Sequence, residues 1–133
     1  MSLKVLIADS DWRFAQQASN YLEDRAHLVV HEPRAKEALA QAQKWHPDLV
    51  IISDELAEKG LLGSLTAMNP RPAVLLNGWM DRYDRLWRAW QLGGDELLVK
   101  PVFHSHDLQL AIMAAMKNAA AGTRSIRPAA ASA

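Results

Sequence analysis

The stretch Leu92-Gly93-Gly94-Asp95-Glu96-Leu97-Leu98-Val99-Lys100-Pro101 decides the class of fold. Its two glycines end a helical pattern, because glycine readily adopts the left-handed backbone found after helix C-termini. The apolar run that follows, Glu96 to Val99, has the length of a strand and predicts one that is buried on both faces. Lys100-Pro101 ends that strand, since proline lacks the N–H that strand pairing needs.

The same order of helix and strand repeats along the rest of the chain. Four more strand-like apolar runs precede this stretch: Lys4 to Asp9, Leu28 to His31, Asp48 to Ser53 and Ala73 to Leu76. Helical patterns follow the runs, over residues 12–22, 34–45, 60–68, 80–92 and 105–118. Strands that alternate with helices through short loops predict a parallel sheet with helices on both faces. We therefore predict a three-layer α/β domain over residues 1–118, and a disordered tail or linker over residues 119–133, whose composition offers too little to bury.

Composition excludes several classes of function. The chain has 133 residues with 15 basic and 15 acidic side chains, so no overall charge favours nucleic acid or an anionic membrane. It contains no cysteine, which excludes disulfides, thiolate zinc sites and a cysteine nucleophile. No apolar run approaches the length of a membrane span, and we expect a cytoplasmic protein.

Polar residues follow the predicted strands at the ends where parallel strands gather their sites. They are Asp9, Ser10, Asp11, Ser53, Asp54, Asn77, Gly78 and Lys100. Asp11 also stands where the first helix needs an N-cap. After it, Trp12, Ala15, Ala18, Tyr21 and Leu22 recur at helical spacing as a predicted apolar face.

Three stretches together resemble the receiver (CheY-like) domain of bacterial response regulators, over roughly residues 4–116. They are Val5-Leu6-Ile7-Ala8-Asp9, Pro47-Asp48-Leu49-Val50-Ile51-Ile52 and the quoted stretch from Leu92 to Pro101. The resemblance implies a flavodoxin-like, five-stranded parallel sheet with five helices, and a Lys-Pro peptide bond that is commonly cis. It also implies that an Asp after the third strand accepts a phosphoryl group from a phosphohistidine, with Mg²⁺ held by acids after the first strand.

Two positions match the roles that the resemblance implies. Asp9 matches an acidic position that would hold Mg²⁺ together with Asp54, and Lys100 matches the lysine that pairs with the phosphoryl oxygens. Ser10 departs from the pattern, because it offers a neutral hydroxyl where a second carboxylate is expected. Leu97 stands where the family has an aromatic residue on the fifth strand.

The phospho-acceptor and hydroxyl positions each allow two alignments. Counted without gaps from Pro47, the acceptor position falls on Ser53, whereas a one-residue bulge places it on Asp54. The hydroxyl position falls on Asn77, or on Gly78 if the gap lies elsewhere, and neither has a hydroxyl. Several parts of the family's phosphorylation site are therefore altered at once.

An aromatic stripe follows the fourth strand, and it has two interpretations. Trp79, Tyr83, Trp87 and Trp90 recur at helical spacing. The favoured interpretation is that they form the core face of the helix. The alternative is that part of the stripe stays exposed as a partner surface, for a signalling protein or for a second copy of the chain.

Three functions remain open from the sequence. The first is an atypical receiver domain that is not an enzyme and acts by contact with a sensor kinase or another signalling protein, without phosphorylation. The second is a phospho-receiver that uses Asp54 and Mg²⁺. The third is a small flavodoxin-like cofactor-binding protein, against which the acidic Asp9-Ser10-Asp11 loop counts, because it would repel a phosphate that brings no metal.

Overall fold

The computed structural model describes residues 2–122. One parallel sheet in the order β2-β1-β3-β4-β5 forms the middle layer. Its strands are β1 (Lys4–Ala8), β2 (Leu28–Glu32), β3 (Leu49–Ser53), β4 (Ala73–Trp79) and β5 (Glu96–Lys100). β1, β3 and β4 lie inside the sheet, which explains their apolar sequences, since both faces of an interior parallel strand are covered.

Five helical segments cover the two faces of the sheet. Four are α1 (Trp12–Glu23), α2 (Ala35–Trp45), α4 (Tyr83–Leu92) and α5 (Ser105–Ala121). The third, α3, joins three helical pieces, Asp54–Leu56, Ala57–Leu61 and Leu62–Thr66. The predicted three-layer α/β fold with five parallel strands and five helices is therefore confirmed.

Two separate apolar cores lie on opposite faces of the sheet. Val5, Ile7, Ile51 and Leu75 pack with α1 and α5 on one face. Their neighbours along the same strands, such as Leu6, Val50 and Leu76, pack with α2, α3 and α4 on the other. Because side chains alternate along a strand, the position of a residue at a strand end decides which of the two layers it faces.

The third helix begins earlier than its sequence pattern predicts. The prediction started it at Gly60, but helical backbone begins at Asp54, directly after β3. The Ser53 hydroxyl caps this start by accepting a hydrogen bond from the Leu56 N–H at 3.3 Å. A wide turn over Ala57–Leu61 then interrupts the 3.6-residue period, and Gly60 in it has φ 87°, which explains why the pattern becomes readable only afterwards.

The other boundaries differ by a few residues. β4 continues to Trp79, beyond the predicted end at Leu76, and a 3₁₀ turn over Met80–Arg82 precedes α4. The last helix continues to Ala121, so residues 119–121 are helical and were wrongly assigned to the tail. The rest of the predicted tail, residues 123–133, lies outside the described residues.

Two further features of residues 2–122 bear on the predictions. The Lys100–Pro101 peptide bond is cis, as the resemblance implied, and the Asn69–Pro70 bond is cis as well. No helix within these residues is both long and apolar enough to cross a membrane.

A buried acid joins β4 to β5 at the amino end of the sheet. The Asp95 carboxylate accepts two hydrogen bonds from the Arg71 guanidinium, at 2.9 and 3.2 Å, and one from the Val74 N–H at 2.8 Å. The Asn118 amide of α5 donates to the Asp95 carbonyl at 2.7 Å. The Asp95 side chain therefore ties the loop before β4 and β4 itself to the start of β5, and the Asp95 carbonyl ties that point to α5.

We predict that Asp95→Ala lowers the free energy of unfolding by about 2 kcal/mol, because the buried Val74 N–H loses its side-chain acceptor and Arg71 loses its charge partner. Urea unfolding followed by tryptophan fluorescence measures the change. Asp81→Asn, at an exposed acid, is the control and should stay within about 0.5 kcal/mol of the parent. Equal stability of Asp95→Ala and the parent would contradict the role of Asp95.

Candidate functional site

The carboxyl ends of the strands bring Lys100 between two acids. The Lys100 ammonium donates to Asp9 Oδ2 at 2.8 Å and to Asp11 Oδ2 at 3.0 Å. Lys100 is the last residue of β5 and Asp9 follows β1, and both are almost fully buried, with side chains 3% and 2% exposed. Because β5 is an edge strand and β1 lies three places away, this ammonium connects two distant parts of the rim.

Asp11 has two roles, of which the sequence predicted one. Its Oδ1 accepts hydrogen bonds from the Arg13 and Phe14 N–H groups, which confirms the predicted N-cap of α1. Its Oδ2 accepts from Lys100, a bond that the sequence did not indicate. Burial raises the pKa of the Asp11 carboxyl, but the Phe14 N–H and Lys100 outweigh it, so this pKa lies below its ordinary value.

Two aromatic rings complete the surroundings of the ammonium. Lys100 Nζ lies 4.7 Å from the centre of the Phe14 ring and 5.6 Å from that of Trp79. Both distances lie within the range of a cation–π interaction. A cleft beside this group is lined in part by Arg13, Gln17 and Val102. The lysine is thus enclosed by two carboxylates and two aromatic faces.

The residues present do not fit the Mg²⁺ site that the resemblance implied through Asp9 and Asp54. Within residues 2–122 no group of three or more His, Cys, Asp or Glu side chains is placed to hold a metal ion. The lysine ammonium already lies between the Asp9 and Asp11 carboxylates, and Ser10 is exposed. Mg²⁺ binds proteins through one or two carboxylates and keeps several of its waters, but here both carboxylates already hold the Lys100 ammonium, which would repel a divalent cation.

Asp54 lies on the other face of the sheet. It is the first residue of α3 and is 4% exposed. Its Oδ1 accepts a hydrogen bond from the Glu55 N–H at 2.7 Å, and its Oδ2 has no hydrogen-bond partner among the described residues. Burial raises the pKa of Asp54, and the Glu55 N–H, Arg85 and Arg82 offset this only in part.

Gly78 is the residue of β4 that lies against this carboxylate. A Cβ built on Gly78 would stand 2.9 Å from Asp54 Oδ2 and 3.3 Å from the Leu86 Cβ of α4. No side chain fits there without movement of Asp54 or of α4. The glycine therefore creates the space into which the carboxylate folds.

Ser53, an alternative acceptor position, ends β3 and pairs with Asn77, the predicted hydroxyl position, which lies within β4. Ser53 is buried and its hydroxyl serves as the cap of α3. Asn77 is fully buried, and neither amide atom has a hydrogen-bond partner within residues 2–122. By alternation, both side chains face the layer of α1 and α5, away from Asp54.

The aromatic stripe contributes mainly to the core. Trp90 is buried and so is not part of a partner surface, whereas the use of Trp79, Tyr83 and Trp87 as such a surface stays a prediction. Trp90 is 3% exposed and lies in the core of α2, α3 and α4, against which Tyr83 and Trp87 pack half-buried. Trp79 is 36% exposed, but its ring faces Lys100. The stripe follows the helix period because α4 packs one apolar face against the core. This agrees with the favoured interpretation of the stripe as a core face.

Sequence reasoning misplaced Trp12. It was expected in the core face of α1, yet it is 66% exposed, and Phe14 is buried in the core instead. The Trp12 ring meets the His31 ring edge-on at 4.6 Å, and His31 Nε2 lies 2.7 Å from the Asp9 carbonyl oxygen. Helical spacing favours Phe14, because Ala18 and Tyr21 lie four and seven residues after it on the buried face, whereas Trp12 lies beyond the edge of that face.

Solved structures share this fold. No protein-family model and no curated protein sequence matches the chain. NtrX from Brucella abortus in complex with ADP superposes with a TM-score of 0.79 at 20% identity, over 92% of this chain and 28% of that one. A response regulator receiver domain protein from Clostridium thermocellum reaches 0.72 at 21% identity, covering 92% of this chain and 100% of that one.

The chemotaxis response regulator CheY4 of Vibrio cholerae superposes with a TM-score of 0.69 at 21% identity, over 86% of this chain and 99% of that one. The chain thus spans the whole of small receiver domains but little more than a quarter of NtrX. At these identities the likeness establishes the fold. The chain has the receiver fold of two-component response regulators.

We predict that Asp54→Asn raises the stability of the fold at neutral pH. A carboxyl whose pKa is raised in the folded state binds its proton more tightly there, so its ionisation above that pKa destabilises the fold. The advantage of Asp54→Asn should shrink as the pH falls to the ordinary Asp pKa and below. Thermal unfolding across the acid range measures this, with Glu55→Gln, at an exposed acid, as the control. A variant less stable than the parent at neutral pH would refute it.

We also predict that Gly78→Ala lowers the free energy of unfolding by about 1–3 kcal/mol, because the new methyl group crowds Asp54 and Leu86. Part of the loss should return in Asp54→Ala/Gly78→Ala, where the carboxylate is absent. Gly63→Ala is the control, since nothing lies within 4 Å of a Cβ at Gly63. Additive losses in the double variant would show that Gly78 and Asp54 do not interact.

Proposed function

We propose that this chain is a non-enzymatic receiver-fold module that signals by protein–protein contact and accepts no phosphoryl group, on Asp54 or on Ser53. The observation that carries the proposal is the division of the site between the two faces of the sheet. Lys100 is committed to Asp9 and Asp11 on one face, and Asp54 is buried at the start of α3 on the other.

An acceptor carboxylate has to be ionised and within reach of the phosphoryl group. Asp54 is 4% exposed, and one of its oxygens is occupied by the Glu55 N–H. Burial also favours its protonated form, which is a poor nucleophile. The start of α3 would have to unwind before this side chain could react.

The positive charge that phosphoryl transfer needs, that of Lys100, is already paired with Asp9 and Asp11. Transfer to an oxygen requires cations that stabilise the charge on the phosphoryl oxygens. Lys100 already faces two carboxylates, and Ser10 adds no negative charge with which to bind a metal. Gly78, the β4 residue beside Asp54, has no hydroxyl to donate. The lysine, the metal-binding acids and the hydroxyl that the resemblance implies are therefore not found beside Asp54, where Arg82 and Arg85 act on the carboxyl through their charge.

Exposed apolar side chains that could contact a partner protein lie at the same rim. Trp12, Met80 and Phe103 follow β1, β4 and β5 and are 66%, 64% and 81% exposed. Large apolar side chains that are exposed to solvent are typical anchors of protein interfaces. A sensor kinase or another cytoplasmic signalling protein is the kind of partner that this surface would serve.

Intact-mass spectrometry after incubation with acetyl phosphate and Mg²⁺ tests the proposal. We expect no phosphate adduct on the parent protein, on Asp54→Asn or on Ser53→Ala. The Asp54 carboxyl and the Ser53 hydroxyl are both buried, and the Lys100 cation is paired with other acids. A phosphorylatable receiver domain treated in parallel controls for the reagent. Circular dichroism of each variant verifies that the fold is intact.

Two results would overturn the proposal. A hydroxylamine-sensitive adduct that disappears only in Asp54→Asn would make Asp54 an acyl phosphate acceptor and the chain a working phospho-receiver. An adduct that persists in Asp54→Asn, resists hydroxylamine and disappears in Ser53→Ala would assign the acceptor to Ser53.

A further inference from the structure

We propose that Lys100 is the built-in cation of this rim, which takes the place of a divalent metal between Asp9 and Asp11 and excludes one. The inference deepens the proposed function, on which it rests for its biological meaning, since a module without phosphoryl transfer has no use for bound Mg²⁺. It concerns a different property, the response of the site to cations.

The first argument is that every carboxylate oxygen of the pair already has a donor. Asp9 Oδ1 accepts from the Asp11 N–H at 2.9 Å and Asp9 Oδ2 from Lys100 at 2.8 Å. Asp11 Oδ1 accepts from the Arg13 N–H at 3.1 Å and the Phe14 N–H at 3.2 Å, and Asp11 Oδ2 from Lys100 at 3.0 Å. Each of these oxygens has at most one lone pair left, so a metal ion would have to share the carboxylates with the donors already bound and lie close to the Lys100 ammonium.

The second argument is the placement of the ammonium itself. Lys100 Nζ is held by two charge-assisted hydrogen bonds, and the faces of Phe14 and Trp79 lie against it. Its side chain is 3% exposed, so it cannot move into water without opening the rim. A divalent cation placed beside it would meet strong repulsion, because the site is poorly screened by solvent.

The third argument is the balance of charge. The cluster contains two carboxylates and one ammonium, and position 10 provides a neutral, exposed hydroxyl in place of a third acid. The single ammonium donates a hydrogen bond to each of the two carboxylates and so offsets part of their charge. Removal of the ammonium would leave two close carboxylates with no cation, which is the situation in which a metal is attracted.

Thermal unfolding in EDTA and in millimolar MgCl₂, at matched ionic strength, tests the inference. We expect the parent protein to have the same Tm in both, within about 1 °C. Lys100→Met should lose roughly 10 °C in EDTA, because two partly buried carboxylates become unpaired, and should recover part of this as Mg²⁺ is added. Lys100→Met/Asp11→Asn should not respond to Mg²⁺, and Lys117→Met, at an exposed lysine of α5, is the control for loss of charge.

A saturable rise of Tm with Mg²⁺ in the parent protein, removed by Asp11→Asn, would overturn the inference, as would a folded Lys100→Met with no response. If Lys100→Met does not fold, Mn²⁺ titration of the parent decides, since paramagnetic broadening of the Asp9–Asp11 amide signals would overturn it and unchanged signals would support it. A phosphate adduct without a Mg²⁺ response contradicts the proposed function alone, whereas a Mg²⁺ response without an adduct contradicts only this inference.

Discussion

The structure depends on one buried ion cluster, in which the Lys100 ammonium lies between the carboxylates of Asp9 and Asp11. Charges removed from water are tolerated only where their partners and hydrogen bonds are complete, and here each carboxylate oxygen has a donor. The cluster joins the ends of β1 and β5 to the start of α1 across the intervening strands. It therefore fixes the arrangement of the rim. It also pairs with each other the carboxylates that could bind a metal and the ammonium that could bind a phosphoryl group.

The two faces of the sheet explain how the candidate site is divided. Side chains at neighbouring positions of a parallel strand point into different layers, so a shift of one residue changes the partner layer. Ser53 faces α1 and α5 and caps α3, whereas Asp54, one residue later, folds against Gly78 beneath α4. The early start of α3 and the absence of a Cβ at Gly78 are thus parts of one arrangement. This arrangement buries the Asp54 carboxyl group almost completely.

Several features of this site were predictable from single residues, and others were not. The N-cap role of Asp11 follows from its place before a helix, and the core role of Trp90 follows from helical spacing. The bond between Asp11 and Lys100 joins residues far apart in the chain, so no local pattern reports it. The pocket of Asp54 depends on Gly78 and Leu86, which belong to other elements, and the exposure of Trp12 depends on its packing against His31.

The sequence by itself determined the layered α/β fold, because buried apolar strands alternate with amphipathic helices and short loops permit little else. It also determined which residues stand at the carboxyl rim, since parallel strands all end there. The two acids that Lys100 binds, the face that Asp54 takes and the start of α3 become apparent only in the folded structure. The physical reason is that these outcomes depend on side-chain direction, burial and competition among donors, which arise only when distant segments pack together.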